Sequence, residues 1–257
     1  TLSPSSAASD VYKRQIYNLC GLRNGGIMIG IIGAMEEEVK ALADMMSGVE
    51  TATVAGMVFK KGQFKGKDVV VVRSGIGKVN AAVCTQILAD RYNVDCVINT
   101  GVAGSLKNEI NIGDIVISSD AIQHDMDATG FGYKMGVIPR MPVSVFEADR
   151  KLIDAARAAC SEAVPEIGVF EGRVVSGDQF ITDKDTKKRL VETFAAYCTE
   201  MEGAAIAQAA YLNNIPFLII RAISDKADDS ASMDYGEFER KAIEHSVLLM
   251  ENLIRRI

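Results

Sequence analysis

Met28-Ile29-Gly30-Ile31-Ile32-Gly33-Ala34-Met35-Glu36-Glu37-Glu38-Val39 is the stretch whose reading decides the fold. Met28–Ile32 is an unbroken apolar run ending at Gly33, the pattern of a strand buried on both faces. Glu36–Met46 follows with helical spacing. Strand, glycine turn and helix in that order open an α/β fold.

Working outward, Met57–Phe64 and Asp68–Arg73 read as two strands joined by a turn at Lys65-Gly66-Lys67. Ser74-Gly75-Ile76-Gly77 then leads into a helix over Val79–Tyr92. Cys96–Thr100 reads as a short buried strand, with a turn expected over Gly101–Gly104. Ile115–Ser118 and Ala121–His124 suggest two further strands. Helices are expected over Asp149–Ala163, just before Pro165, over Lys184–Phe194 and over the Ala-rich Glu202–Leu212. Val169–Val175 and Phe217–Ile223 read as strands. Phe238, Ala242, Ile243, Leu249, Met250, Leu253 and Ile257 form one apolar stripe at helical spacing. No repeat or low-complexity linker follows Met28. The expectation is one domain over residues 28–257, a three-layer α/β/α architecture with a mixed, largely parallel sheet.

Composition narrows the functional classes. The chain has 257 residues, 24% charged and 48% hydrophobic, enough for a substantial core. Its net charge is −6 and no run of Lys or Arg supplies a basic face, which argues against a nucleic-acid partner. Apolar runs such as Ile215–Ile220 are too short to span a bilayer, so no membrane partner is expected. The five Cys form no CxxC pair, and with two His there is no metal-ligand spacing. Buried free thiols in a reducing cytoplasm fit this usage.

The first 27 residues read as foreign. Asp10-Val11-Tyr12-Lys13-Arg14-Gln15 can be encoded as GAT GTG TAT AAG AGA CAG, which resembles a transposon end used in sequencing libraries. Gly25-Gly26-Ile27-Met28 can be encoded as GGA GGA ATT ATG, which resembles a ribosome-binding site and start codon. Residues 1–27 are therefore expected to be a non-native or disordered leader, with translation starting at Met28. A natural disordered tail is the alternative. Peptides from Val11–Arg23 in protein made from the native locus would overturn the expectation.

In open α/β sheets, ligands bind beyond the carboxyl ends of strands. Gly30–Gly33, Gly75–Gly77 and Gly101–Gly104 each allow a tight turn or a close backbone approach. None completes GxGxxG, and no GxxxxGK[ST] occurs, which disfavours dinucleotides and ATP. Glu36-Glu37-Glu38 can complement a helix N-terminus, or can aim one carboxylate into a cleft. Either way it opposes a phosphate. Glu200-Met201-Glu202 can cap the next helix, or place two acids on one side to accept ribose hydroxyls. Arg221-Ala222-Ile223-Ser224-Asp225 closes the most apolar strand. It reads as a structural ion pair, or as a dry site from which a carboxyl donates a proton.

Taken together, these segments resemble the bacterial 5′-methylthioadenosine/S-adenosylhomocysteine nucleosidases. The resemblance runs from Met28 to the C-terminus. It rests on Gly30–Val39, Ser74–Ala82, Asn99-Thr100-Gly101, Val175–Ile181, Glu200–Ala205 and Arg221–Asp225, in that order. It implies a nucleoside phosphorylase-like fold, a homodimer and no metal or organic cofactor. It implies release of adenine from 5′-thioadenosines, in methionine salvage and in removal of adenosylmethionine by-products. By motif, Asp225 would protonate adenine N7 with Ser224 orienting it, Phe180 would stack on the base, and Ile181 would offer it backbone hydrogen bonds. Glu202 would bind the ribose hydroxyls and Met201 would pack on the sugar. Glu38 and Arg221 would hold the attacking water, and Met35 and Ile76 would line the sugar and thioether region. Val102 departs from the pattern. Many members of the family carry Ser there, whose hydroxyl helps orient the water, so with Val102 either water placement relies on Glu38 and Arg221 or another group substitutes.

Three rivals stand beside this reading. A phosphorylase of the same fold would need basic residues around phosphate. A hydrolase of aminodeoxyfutalosine could share the pocket, whereas one acting on AMP would need cations at the 5′ end. A silent nucleoside-binding protein would not need Asp225, Glu38 and Glu202 together.

Overall fold

β1 (Met28–Gly33) lies at the centre of the sheet, as its unbroken apolar run requires. It pairs in parallel with β4 (Lys67–Arg73) and with β5 (Cys96–Ser105). The computed structural model describes residues 26–227 and 231–257. The leader expected over residues 1–27 therefore lies, through residue 25, outside the described residues.

Alternate residues of these central strands serve two cores. Ile29, Ile31, Val69, Val71 and Ile98 face α1 (Glu36–Asp44), α3 (Arg150–Ala163) and α6 (Ala231–Arg256). Ile32, Val70, Val72 and Val97 face α2 (Lys78–Ile87) and α5 (Gly203–Leu212) on the other side. Each such Ile or Val contributes about 1.5–3 kcal/mol of burial. Helices on both faces of a mixed sheet give the three layers expected.

The remaining strands wrap one half of the sheet into a closed ring. β10 (Phe217–Asp225) lies parallel beside β5 and antiparallel to β6 (Ile115–Gln123). β8 (Val169–Ser176) runs parallel to β6, and β9 (Cys198–Glu200) returns from β8 to the upper end of β5. The short β7 (Phe146–Glu147) adds to β6. The other half ends in the β2 (Ser47–Val54)–β3 (Met57–Phe64) hairpin, whose turn places Ala55 and Gly56 at φ 51° and 76°. α4 (Lys184–Phe194) packs Leu190 and Phe194 over Leu106, Ile122, Val175 and Ile181.

The structure differs from the sequence reading at four places. Gly101–Gly104 is not a turn but the upper half of β5, held by pairing to β10 and β9. Glycine serves there because neighbouring carboxylates occupy the space a Cβ would take. Ile115–Ser118 and Ala121–Gln123 belong to one strand, with His124 just past its end and a register shift after Ser118 where the strand bends. β2 was not expected, because as an exposed edge strand it lacks a buried alternating face. The helix read over Val79–Tyr92 is α2 continued by one wider turn, Leu88–Tyr92, which Asn93 ends at φ 49°.

Candidate active site

Glu38 occupies the third position of α1. A residue there can turn back over the helix start, and Glu38 Oε2 accepts the Ala34 and Met35 N–H groups at 2.6 and 2.9 Å. Glu36 and Glu37 stay exposed while Glu38 is buried. Its Oε1 accepts the Val102 N–H at 3.3 Å. Burial pushes the Glu38 pKa up, against the opposing pull of Arg221 and the three backbone N–H groups. A Cβ at Gly101 would sit 2.6 Å from Glu38 Oε1 and 3.4 Å from an Arg221 nitrogen. Glycine at 101 thus lets the acid and the guanidinium close over β5.

Arg221 is fully buried. Its Nη2 donates to Glu200 Oε2 at 2.5 Å and to Asn99 Oδ1, and its Nη1 donates to the Ile220 carbonyl at 3.0 Å. Among the described residues, the guanidinium Nε has no hydrogen-bond partner. Burial opposes the Arg221 charge, but Glu200, Glu38 and Glu202 more than offset it and hold the group charged. The ion-pair reading of Arg221 is therefore correct, and its partner is Glu200.

The two acids around Met201 divide their work. Glu200 caps α5 by accepting the Glu202 N–H at 3.1 Å and the Gly203 N–H at 2.8 Å, and it accepts the Ser176 hydroxyl. Glu202 turns the other way, and its Oε1 accepts the Gly77 N–H at 2.7 Å. Burial and the neighbouring Glu200 push the Glu202 pKa up to about 8, with Gly77 and Arg221 opposing.

Asp225 ends β10 and is 1% exposed. Its Oδ2 accepts the Ser224 hydroxyl at 2.9 Å and its Oδ1 accepts the Ala227 N–H at 2.7 Å. A Cβ at Gly104 would sit 2.7 Å from Asp225 Oδ1. Gly101 and Gly104 are three residues apart, about 10 Å of strand. Two buried carboxylates thus lean on one strand, Glu38 at Gly101 and Asp225 at Gly104.

Phe180 is 50% exposed and Ile181 is buried in the cluster that includes Ala227, both in the irregular segment after β8. Met201 is half-buried between β9 and α5. Met35 and Ile76 border an open cleft of about 510 Å³ that reaches Gly56 and Asn80. Val102 packs its side chain against the large core on the α6 side and gives Glu38 only its backbone N–H. Among the described residues, no cluster of three or more His, Cys, Asp or Glu is arranged to hold a metal. One guanidinium set among Glu38, Glu200 and Glu202 makes the centre suited to a cation and hostile to a phosphate.

A phosphorylase superfamily model matches residues 28–255. The 5′-methylthioadenosine/S-adenosylhomocysteine nucleosidase of Shewanella halifaxensis is 44% identical over 89% of this chain and 99% of its own length. The chain belongs to the 5′-methylthioadenosine/S-adenosylhomocysteine nucleosidase family. The Neisseria meningitidis nucleosidase, solved with methylthio-immucillin-A, superposes with a TM-score of 0.86 at 38% identity, covering 90% of this chain and 99% of that one. A Helicobacter pylori futalosine hydrolase superposes with a TM-score of 0.85 at 33% identity, covering 90% of this chain and 98% of that one.

For a member of the nucleosidase family, sequence reasoning missed four contributors. The sequence offers Glu200 as a helix cap or as a second ribose acid, but not as the partner of Arg221; it offers Gly77 as a turn or close-approach glycine, but not as a donor to Glu202; and it singles out neither Asn99 nor Ser176 by itself. Their signal was present, since each lies inside a motif quoted above, but a hydrogen bond across 125 residues, as from Gly77 to Glu202, leaves no local trace. The Val102 departure also has a milder consequence. Any residue but proline supplies there the N–H that Glu38 accepts, so Val102→Ser is expected to change kcat by less than about threefold, within the worth of one neutral hydrogen bond. A gain of tenfold or more in steady-state kinetics would give the missing hydroxyl the larger role.

Proposed function

We propose that residues 28–257 act as one domain that hydrolyses the N-glycosidic bond of 5′-methylthioadenosine and S-adenosylhomocysteine, and of 5′-deoxyadenosine. The products are adenine and the corresponding 5′-substituted ribose. Asp225, oriented by Ser224, gives a proton to adenine N7. The C1′–N9 bond breaks, its electrons go to the neutral leaving adenine, and the ribose becomes an oxocarbenium-like cation. Water held by Glu38 and Arg221 attacks C1′, and Glu38 accepts its proton. Solvent returns that proton to Asp225. A positioned acid of this kind contributes about 10²–10⁴-fold in rate, and the surrounding carboxylates stabilise the developing cation.

In this reading Glu202 accepts the ribose hydroxyls and Met201 packs on the sugar. Phe180 stacks on the base and Ile181 hydrogen-bonds it through its backbone. Met35 and Ile76 line the 5′ region. No cofactor takes part.

The observation that carries the reading is the pair of buried carboxylates, Glu38 at Gly101 and Asp225 at Gly104, with one guanidinium between three glutamates. A phosphate nucleophile would meet carboxylates at the same place. The likeness to a futalosine hydrolase keeps aminodeoxyfutalosine as a second substrate reading.

We also propose a homodimer working in the cytoplasm. Cys84, Cys96, Cys160 and Cys198 are buried free thiols, which suits a reducing compartment. No described helix is long and apolar enough to cross a membrane.

Adenine release should be followed over a substrate panel with and without phosphate. Release from methylthioadenosine and adenosylhomocysteine at an equal rate without phosphate is expected. Dependence on phosphate, with ribose 1-phosphate as product, would move the chain to the phosphorylases. A strong preference for aminodeoxyfutalosine would select the second reading.

A further inference from the structure

A polar network at the start of α2 takes no part in the chemistry above. Lys78 Nζ lies 2.6 Å from Asp125 Oδ1 and 3.0 Å from Gln123 Oε1. Asp125 Oδ2 accepts the Asp178 N–H at 3.0 Å, and Asp178 Oδ1 accepts the Lys78 N–H at 2.8 Å. Gln123 Nε2 donates to Gln208 Oε1 on α5. α5 starts directly after Glu202, and Glu202 accepts the N–H of Gly77, the residue before Lys78. The links therefore close a ring through Glu202, Gly77, Lys78, Gln123, Gln208 and α5, with Asp125 tying in the segment that carries Phe180 and Ile181.

We propose that Lys78 and Asp125 are positioning residues for the nucleoside: their ion pair holds the Gly77 N–H on Glu202 and holds the Asp178–Ile181 segment in place beneath the base. The proposal rests on Glu202 being the ribose acceptor.

Geometry gives three reasons. Gly77 has φ 97°, a region open to glycine, whose wide backbone freedom means that neighbouring contacts decide where its N–H points. Asp178 Oδ1 would lie 3.1 Å from a Cβ at Gly77, so the clamp grips the backbone itself. The Lys78 and Asp125 side chains are 17% and 19% exposed, so water screens their attraction less than that of a surface pair.

Electrostatics add a readout. Burial opposes the Asp125 charge, but Lys78, the Asp178 N–H and His124 offset it and hold its pKa below the usual carboxylate range. Glu202 is faced by Glu200 on β9, Arg221 on β10, Glu38 on α1 and the Gly77 N–H. Only the last depends on the ring. Loosening it raises the pH at which Glu202 ionises, so the acid limb of kcat/KM moves to higher pH. Glu38 is held by Ala34, Met35, Val102 and Arg221, none of them a member of the ring.

The test compares Asp125→Asn, Lys78→Met and Lys78→Arg with Glu202→Gln on methylthioadenosine. In Asp125→Asn and Lys78→Met, KM should rise about tenfold with kcat within about twofold, and the acid limb should move up by about 0.5–1 unit. Lys78→Arg should restore most of both. Wild-type KM and acid limb in the folded variants, or a loss confined to kcat, would overturn the proposal. A normal KM in Glu202→Gln would instead remove the ribose role of Glu202. Should Asp125→Asn fail to fold, Lys78→Met against Lys78→Arg makes the same decision.

Discussion

Asp225→Asn is expected to lower kcat on methylthioadenosine by about 10³–10⁴-fold, at the upper end of what one positioned acid supplies. Asparagine keeps the volume and one acceptor oxygen, so the Ala227 N–H or the Ser224 hydroxyl remains satisfied. The fold should survive, with a Tm within a few degrees of wild type. What is lost is the transferable proton. Without it adenine must leave as an anion, and the electrostatic help of Glu38 and Glu202 cannot replace that step. KM should change little, because the base still has Phe180 and the Ile181 backbone. Adenine release by the purified variant is the measurement. Turnover within tenfold of wild type would take the acid role from Asp225.

Glu38→Gln should lower kcat by about 10²–10³-fold. The neutral amide cannot take the proton of the attacking water, and it withdraws a negative charge from beside the developing cation. The pH profile separates these effects. Burial raises the Glu38 pKa, so the group is protonated at a higher pH than an ordinary glutamate. Whereas kcat/KM carries the Glu202 limb of the free enzyme, the base must be ionised in the bound complex, so kcat falls as pH drops through that raised value. Glu38→Gln should lose this limb, leaving a flatter residual rate. An unchanged limb in the variant would assign it to another group, Glu202 being the candidate with its pKa near 8. An unchanged rate would leave Glu38 as a helix-end acid only.

The two acids differ in how legible they were. The α1 start could be read locally, since three glutamates after Gly33 place one at the third helix position, where it turns back over the chain. Which glutamate does so, and that it meets Arg221 across Gly101, depends on β1, β5 and β10 lying side by side. Asp225 was legible as the polar end of an apolar strand. Its seat against Gly104 was not, because Gly101–Gly104 had been read as a turn. A glycine-rich stretch looks the same whether its glycines bend the chain or make room for another residue's carboxylate.

The amino-acid sequence by itself determined that a central strand, a glycine break and a helix would follow Met28, that helices would cover both sheet faces, that Glu38 and Asp225 would stand at strand ends, and that Glu202 would stand at the start of an Ala-rich helix. Period and composition carry that much because they act within a few residues. Tertiary structure alone decided the rest. It closed half of the sheet into a ring, gave Glu200 to Arg221 and Glu202 to Gly77, and reduced the Val102 contribution to a backbone N–H. The physical reason is range. A hydrogen bond or ion pair forms between groups a few ångströms apart, and here those groups are brought together from 21 to 125 residues away along the chain. Glu38 and Asp225 lean on two glycines of a single strand because packing brought them there.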